Sequence, residues 1–246
     1  MVKKHKILFV IFIVMIWEAM AFTGKLPSSV NILMTLISDL PALGLAVFNS
    51  IAVIGKAIII SLIITAVLIY LGRYDKINDC IEMVITVCHP IPGVALLPLI
   101  FMWIGPGPEA ILVIVTHAVL WPLLVNIKTS FRQVHSEYKF LVKVFHVTKV
   151  KQITKVYIPG MMPGILSGLK IGWSRGWRGF ISAEMIFSVI GESTGIGWYI
   201  FMYRIFGNMS GVFAGIIAVI IVSLIIEKVV FEQVEKRTID KWIEKV

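Results

Sequence analysis

One apolar stretch, residues 163–190, carries two arginines, a glutamate and two tryptophans that could together form a polar path through a membrane. These candidate pathway residues are Trp173, Arg175, Trp177, Arg178 and Glu184. Ionisable side chains at membrane depth face the interior of a helix bundle or a water-filled cavity, because a charge in hydrocarbon is costly. The arginines would therefore either line a cationic path for an anionic solute or pair with a carboxylate, Glu184 or Glu18 among them.

A basic segment, residues 136–163, lies between membrane-length apolar runs. Its lysines would each cost about 2.5–3.5 kcal/mol at the centre of a bilayer, so the segment must lie on one side of the membrane. They alternate with large apolar residues and are Lys139, Lys143, Lys149, Lys151 and Lys155. The apolar anchors Phe140, Leu141, Val144 and Phe145 are then free to bind a partner.

Closely spaced prolines interrupt the third predicted span. The broken-helix residues are His89, Pro90, Pro92 and Pro98. Proline removes a backbone donor and clashes with the preceding turn, so it kinks or breaks a helix. Because the freed carbonyl groups must find other partners inside a membrane, this stretch is predicted to be buried in protein or to line a cavity.

Glycine recurs every four residues at the start of the fifth predicted span. The stripe consists of Gly160, Gly164, Gly168, Gly172 and Gly176. Small residues at this spacing let a second helix backbone approach closely. The stripe drifts by about 40° per step around a helix, which favours a right-handed crossing.

These residues require a helical membrane scaffold to position them. The chain has 246 residues, of which 58% are hydrophobic and 15% charged. The apolar runs are continuous rather than alternating, which predicts an all-α polytopic membrane protein and not a barrel. About six transmembrane helices are predicted, at residues 7–23, 45–71, 81–103, 109–130, 163–190 and 211–231. A short external helix at the interface is expected from 28 to 40.

The net charge of +9 is a signal of topology, not of nucleic-acid binding. Most lysines and arginines fall on one predicted side: near the N-terminus, around position 73, in 136–163 and in the C-terminal tail. Only Lys25 and Arg204 fall in loops on the other side. The positive-inside rule therefore places both termini and the 136–163 segment in the cytoplasm of a multi-pass cell-membrane protein.

The sequence lacks the motifs of an enzyme. It has no Gly-Lys-Ser/Thr phosphate loop, no H-E-x-x-H zinc motif, no serine elbow and no clustered metal ligands. We therefore expect a non-catalytic protein that binds no cofactor or metal directly, so that energy for transport must come from an ion or from a partner. A membrane-embedded enzyme is the weakest hypothesis.

Four stretches together resemble the membrane subunit of ABC importers of the nitrate, sulfonate and taurine type. They are 89–105 (HPIPGVALLPLIFMWIG), 157–165 (YIPGMMPGI), Trp177 with 183–185 (AEM), and 195–200 (GIGWYI). The first is similar to the family's RPIPPLALLPLFILWFG. The resemblance runs from about 49 to 242.

The resemblance implies a type I ABC importer fold, like that of methionine and maltose permeases, in a single permease domain spanning 1–246. Within it, 1–44 would hold the N-terminal span and external segment, 45–231 the core, and 232–246 a cytoplasmic tail. The implied partners are cytoplasmic ABC ATPase subunits that use ATP and Mg, an external or periplasmic solute-binding protein, a second permease copy and membrane lipid. The implied solute is a small anion such as nitrate, a sulfonate, taurine or bicarbonate.

The resemblance also implies a short coupling helix, from about Glu137 to Lys149, that docks on the ATPase. The coupling-loop residues are Glu137, Phe140, Leu141, Val142, Val144, Phe145, His146, Thr148 and Pro159. The wider superfamily carries E-A-A, a glycine and I-x-L-P in this loop. Of this pattern, only the proline is kept exactly, as Pro159. His146 stands at the position of the glycine that usually makes the sharp turn.

The alternative from another class is a stand-alone, ion-coupled secondary transporter or channel. Its sequence would show an inverted internal repeat with matching broken helices. The proline-broken region 89–98 has no convincing counterpart elsewhere in the sequence, which favours the importer subunit.

Overall fold

The computed structural model describes residues 2–24, 26–187 and 194–240, and every regular element within these ranges is helical. The α-helices are α1 (Val2–Phe22), α2 (Ser29–Ser38), α3 (Leu40–Leu71), α4 (Asp75–Cys88), α5 (Leu97–Trp103), α6 (Pro108–Val144), α7 (Lys149–Lys151), α8 (Ile158–Phe187), α9 (Ile196–Ile205), α10 (Met209–Ile225) and α11 (Glu232–Glu235). A 3-10 turn at Gly93–Leu96 precedes α5. Single π-helical turns cover Gln152–Tyr157, Ile226–Phe231 and Lys236–Asp240.

Within the described ranges, three helices are long and apolar enough to cross a bilayer: Leu40–Leu71, Pro108–Val144 and the continuous run Met209–Thr238. The pair Asp75–Cys88 and Gly93–Trp103 makes a fourth candidate, either a broken span or a re-entrant loop, because a bend of 94° separates its halves. The break falls at the predicted proline cluster. The prediction of an all-α, multi-pass membrane protein is confirmed.

The other two predicted spans coincide with α1 and α8. In α1 the run Ile11–Phe22 is apolar but short. Helix α8 is 30 residues long and covers the predicted span up to Phe187; the last predicted residues, 188–190, lie outside the described ranges. Its charged side chains lower its mean hydropathy, and its glycines at 164, 168, 172 and 176 are buried inside the bundle.

The core lies where α3, α6 and α8 cross. Its fully buried side chains include Ile54 from α3, Ile114 and Val115 from α6, and Phe180 from α8. These positions lie on helix faces that turn inward, because each helix presents its opposite side to lipid or solvent. The three helices therefore form the frame on which the polar residues of α8 are held.

Helix α6 continues through the predicted loop and ends only at Val144. Its 37 residues make it about 55 Å long at 1.5 Å per residue. The expectation of a separate short helix from 137 to 149 is therefore wrong: most of that segment is the end of α6. The physical reason lies in the sequence, since neither glycine nor proline occurs between Pro122 and Pro159 to stop the helix.

The chain reverses after α6 through His146, whose φ is +48°. The N–H groups of His146 and Val147 donate to the carbonyl oxygens of Lys143 and Val142 at 3.3 and 3.2 Å. This pair of bonds is a Schellman motif, in which a left-handed residue ends a helix. A side chain in that conformation costs about 1–2 kcal/mol, so the sharp turn is kept at a position where glycine would be less strained.

Candidate functional site

The glycine stripe of α8 lies against α6. The residues that face it, from Gly160 to Gly176, are Val134, Ser130, Asn126, Leu123 and Val119. A methyl group added at Gly164 would overlap Ser130 Oγ and lie 2.6 Å from Ser130 Cβ and 3.0 Å from the carbonyl oxygen of Asn126. The two backbones thus approach too closely for any side chain between them, and α6 and α8 form one rigid pair.

We expect Gly164→Ala to destabilise the protein by about 1–3 kcal/mol, because the added methyl group overpacks the α6–α8 contact. The melting temperature in detergent should fall by about 2–12 °C. Gly55→Ala is the matched control, since a Cβ there meets no atom within 4 Å. That variant should be neutral or stabilised by up to about 1 kcal/mol. Equal melting of the two variants would contradict close packing at Gly164.

The broken segment meets α8 at the candidate pathway. Nη1 of Arg175 lies 3.2 Å from Nε2 of His89, and because a guanidinium only donates, the imidazole nitrogen accepts this hydrogen bond. Beside the contact lies a cleft of about 240 Å³, lined by the turn 91–94 and by Arg175, Arg178 and Ser182. Pro92 also lines the cleft. The predicted break therefore opens onto the two arginines.

A second cavity, of about 520 Å³, lies on the other side of the arginines, between α8 and the α10 run. Among its lining residues are Trp173 and Trp177, whose stacked rings have centroids 5.6 Å apart. Lys170 and Glu227 also line it and form an ion pair of 3.2 Å. Four of the five predicted pathway residues therefore border this cavity, and Glu184 does not.

Neither arginine of α8 forms an ion pair within the described ranges. The ion pairs there join Lys128 and Arg132 to Glu82, and Lys170 to Glu227. Arg178 instead donates from Nε to the carbonyl oxygen of Ser174 at 3.1 Å. Glu18, one of the two suggested partners, accepts a hydrogen bond of 2.7 Å from the N–H of Ser29. The guanidinium groups therefore face the two cavities.

Glu184 holds the start of α9. Its carboxylate, 2% exposed, accepts hydrogen bonds from the backbone N–H groups of Gly195 and Gly197 at 2.9 and 2.8 Å. The N–H of Trp198 donates at 3.3 Å. A carboxylate at a helix N-terminus satisfies otherwise unpaired donors and faces the positive end of the helix dipole. Sequence analysis missed this role, although the closely spaced glycines at 195 and 197 are the signal, since a Cβ at either would collide with Glu184.

An apolar surface covers the end of the α6–α8 hairpin. We call this surface the tip patch; its residues are Phe140, Leu141, Val144, Phe145 and Val150, each 45–73% exposed. Of the other predicted coupling residues, Val142 is buried, Glu137 accepts a hydrogen bond from Gln133, and Thr148 precedes α7. Pro159 lies in the first turn of α8. The five lysines of the segment, Lys139, Lys143, Lys149, Lys151 and Lys155, alternate with the patch residues along the sequence.

Sequence analysis also missed a charged cluster between α4 and α6. Glu82 Oε1 lies 2.9 Å from Lys128 Nζ and 2.7 Å from Arg132 Nη2. Lys128 is 8% exposed, so its charge depends on this carboxylate for compensation. The two helices are far apart in sequence, and a pairing across 50 residues leaves no local pattern.

A broken span beside a polar cleft, with a helical hairpin projecting from the bundle, defines a multi-pass membrane transport component. The chain belongs to the family of binding-protein-dependent transport system inner membrane components, whose family model matches residues 57–239. It is thus a permease component of the ABC importer type, as the four resembling stretches predicted, with the type I importer fold.

Proteins that are similar to this chain are permeases by name. Over 132 residues the chain is 23% identical to the bicarbonate transport system permease protein CmpB of Synechococcus elongatus, covering 54% of this chain and 46% of CmpB. CmpB of a second Synechococcus strain matches equally. A protein of Methanocaldococcus jannaschii named "Putative ABC transporter permease protein MJ0413" is 27% identical over 124 residues, 46% of each chain. The match spans about half the length of these relatives.

Proposed function

We propose that this chain is the membrane-spanning half of an ATP-driven importer and that a cytoplasmic ABC ATPase binds its tip patch. The observation that carries the proposal is the exposure of large apolar side chains at the end of α6: Phe140 and Phe145 are each 73% exposed. Apolar side chains gathered on a projecting surface mark an interaction site. Here lysines frame them, which keeps the surface out of the hydrocarbon.

The length of α6 supports a partner on the aqueous side. A helix of about 55 Å exceeds the roughly 30 Å of a bilayer's hydrocarbon core, so one end projects into water or headgroups. The projecting end is the basic one, and the positive-inside rule predicts a cytoplasmic position for it and for both termini. ATP and Mg would then be bound by the partner, and this chain would contribute no catalytic group.

Two further partners complete the proposed importer. A second permease copy would form the other wall of the transport path. A two-fold axis would relate the two copies, which is the commonest symmetry of homo-oligomers. An external solute-binding protein would deliver the solute, in keeping with the family's description as binding-protein-dependent. Closure of the ATPases would move the α6–α8 pair as a rigid body and open the path alternately to each side.

The proposed solute is a small anion. Arg175 and Arg178 line both clefts and form no ion pair among the described residues, so their charge is available to a solute. The name of CmpB, a bicarbonate permease, agrees with this charge preference. Bicarbonate, nitrate and taurine or another sulfonate are the solutes to compare.

The test is to purify the tagged chain from its native membranes and identify what accompanies it. A soluble ATPase with a P-loop should copurify, and the complex in vesicles should take up one of these anions only when ATP is present. The alternative, a stand-alone ion-coupled transporter, predicts that the chain alone supports ion-driven uptake. That result would overturn the importer proposal. Within the described residues, a single bent helix pair is found rather than the two matching ones that an inverted repeat would give.

A further inference from the structure

An apolar groove with a positively charged rim lies where α3, α6 and the start of α8 meet. Its volume is about 700 Å³, within the range of about 300–1,000 Å³ that is usual for ligand sites. Its walls are mostly apolar and include Leu62 and Ala66 from α3, Ile127 from α6 and Ile165 from α8. The two clefts at the arginines of α8 are lined by other residues, so this groove is separate from the proposed solute path.

The rim of the groove has more positive than negative charge. Arg73, Lys128 and Arg132 all line the groove. A single carboxylate, that of Glu82, pairs with two of them, Lys128 at 2.9 Å and Arg132 at 2.7 Å. One carboxylate cannot neutralise two cations, and the third cation is not paired with it.

Arg73 is the cation of the rim that Glu82 does not pair with. Its guanidinium carbon lies 4.2 and 4.7 Å from the ring centres of Tyr70 and Tyr74, and it forms no ion pair within the described part of the chain. Arg73 also donates from Nη2 to the Tyr74 hydroxyl at 2.6 Å, and its guanidinium charge is permanent. Asp75 and Asp79 are exposed on α4 and do not line the groove.

A buried hydroxyl inside the groove also lacks a partner. Thr65 is 1% exposed and lines the groove, and its Oγ1 has no hydrogen-bond partner among the described residues. An unpaired polar atom away from water is unfavourable. A ligand that brings an acceptor oxygen to this depth would satisfy it.

We propose that the groove binds an anionic phospholipid, with its phosphate at Arg73 and Arg132 and an acyl chain along Leu62 and Ala66. The ester oxygens of the lipid would reach the hydroxyl of Thr65. Basic pockets between membrane helices bind such headgroups, and the cytoplasmic leaflet is rich in anionic lipid. Tyrosines such as Tyr70, 61% exposed at the rim, are typical of the headgroup level.

Other occupants fit the groove less well. Leu62 and Ala66 lie inside the apolar run Leu40–Leu71, at a depth that a water-soluble partner does not reach. A second copy docked here by a two-fold axis would bring the same surplus of positive charge together from both sides.

The test is native mass spectrometry of the purified chain. The chain is mixed in detergent with equal amounts of palmitoyl-oleoyl phosphatidylglycerol and palmitoyl-oleoyl phosphatidylcholine, and the lipids that stay bound after the detergent is removed in the gas phase are counted. The unmodified chain should retain phosphatidylglycerol in preference. Arg73→Gln should weaken that retention about fivefold, the effect of losing one cation near the membrane surface. Ala66→Phe should weaken retention by obstructing the path of the acyl chain beside Leu62, while every charge remains. Arg204→Gln, an exposed arginine outside the groove, should retain the lipid fully.

Two results would overturn the assignment. Equal retention of phosphatidylcholine would show a site for acyl chains without headgroup selection. Displacement of phosphatidylglycerol by inorganic phosphate, with Ala66→Phe behaving like the unmodified chain, would show a free-anion site. The measurement uses the permease alone, so its outcome is independent of whether an ATPase binds the tip patch.

Discussion

Replacing Phe140 and Leu141 together by aspartate is expected to abolish ATP-driven uptake while the helices stay folded. Both side chains are exposed, by 73% and 45%, so the two substitutions together should change the free energy of unfolding by no more than about 1 kcal/mol. At an interface, a buried aromatic or aliphatic anchor contributes 2 kcal/mol or more, which is about 30-fold in affinity. Uptake into vesicles and the dissociation constant for the ATPase measure the effect.

A matched pair of residues at the end of α9 provides the control. Ile205 and Phe206, 60% and 75% exposed, lie at the turn between α9 and α10, and replacing both by aspartate removes similar apolar area and adds the same charge. This variant should bind the ATPase normally. If the tip variant transports at the normal rate, or if both variants lose the ATPase equally, docking at the tip patch is wrong.

Glu184→Ala is expected to have the largest effect on stability of any single substitution considered. The change removes the acceptor for the N–H groups of Gly195 and Gly197 and leaves these donors buried. A hydrogen bond to a charged group contributes about 1.5–3 kcal/mol, so we expect a loss of about 3 kcal/mol or more. For a chain of this length that is a fall of at least about 6 °C in the melting temperature.

The conservative variant separates the charge of Glu184 from its packing. Glu184→Gln keeps the shape and one carbonyl oxygen but cannot accept from both glycines as strongly, so its melting temperature should lie between those of the unmodified chain and Glu184→Ala. Glu232→Ala removes an exposed carboxylate and should melt normally. A Glu184→Ala protein as stable as the unmodified one would show that α9 begins without this cap.

Features that depend on local chemistry could be predicted from the sequence. The break in the third span follows from Pro90 and Pro92, since proline cannot continue a helix wherever the chain places it. The spacing of the glycines defines a packing face on α8 for the same reason, because a helix repeats its faces at a fixed angle. The broad class, a helical membrane protein, follows from composition alone.

Features that depend on distant pairing could not be predicted. His89 and Arg175 come within hydrogen-bond distance although 86 residues separate them, and no spacing within either segment indicates the other. The predicted span 109–130 covers only the part of α6 that lies in hydrocarbon, and the helix itself continues to Val144. Charge sets where a helix leaves the bilayer, and glycine or proline sets where it stops.

The rigid α6–α8 pair acts mechanically as a lever with unequal arms. If the far end of α6 lies at one membrane surface, the centre of the bilayer divides it into arms of roughly 15 and 40 Å. A tilt of about 10° then moves the tip by roughly 7 Å and the far end by less than half as much. A large displacement imposed with little force at the tip thus becomes a small displacement with a larger force at the far end of α6. The arginines of α8 lie level with Val119, close to the pivot, so they rotate almost in place.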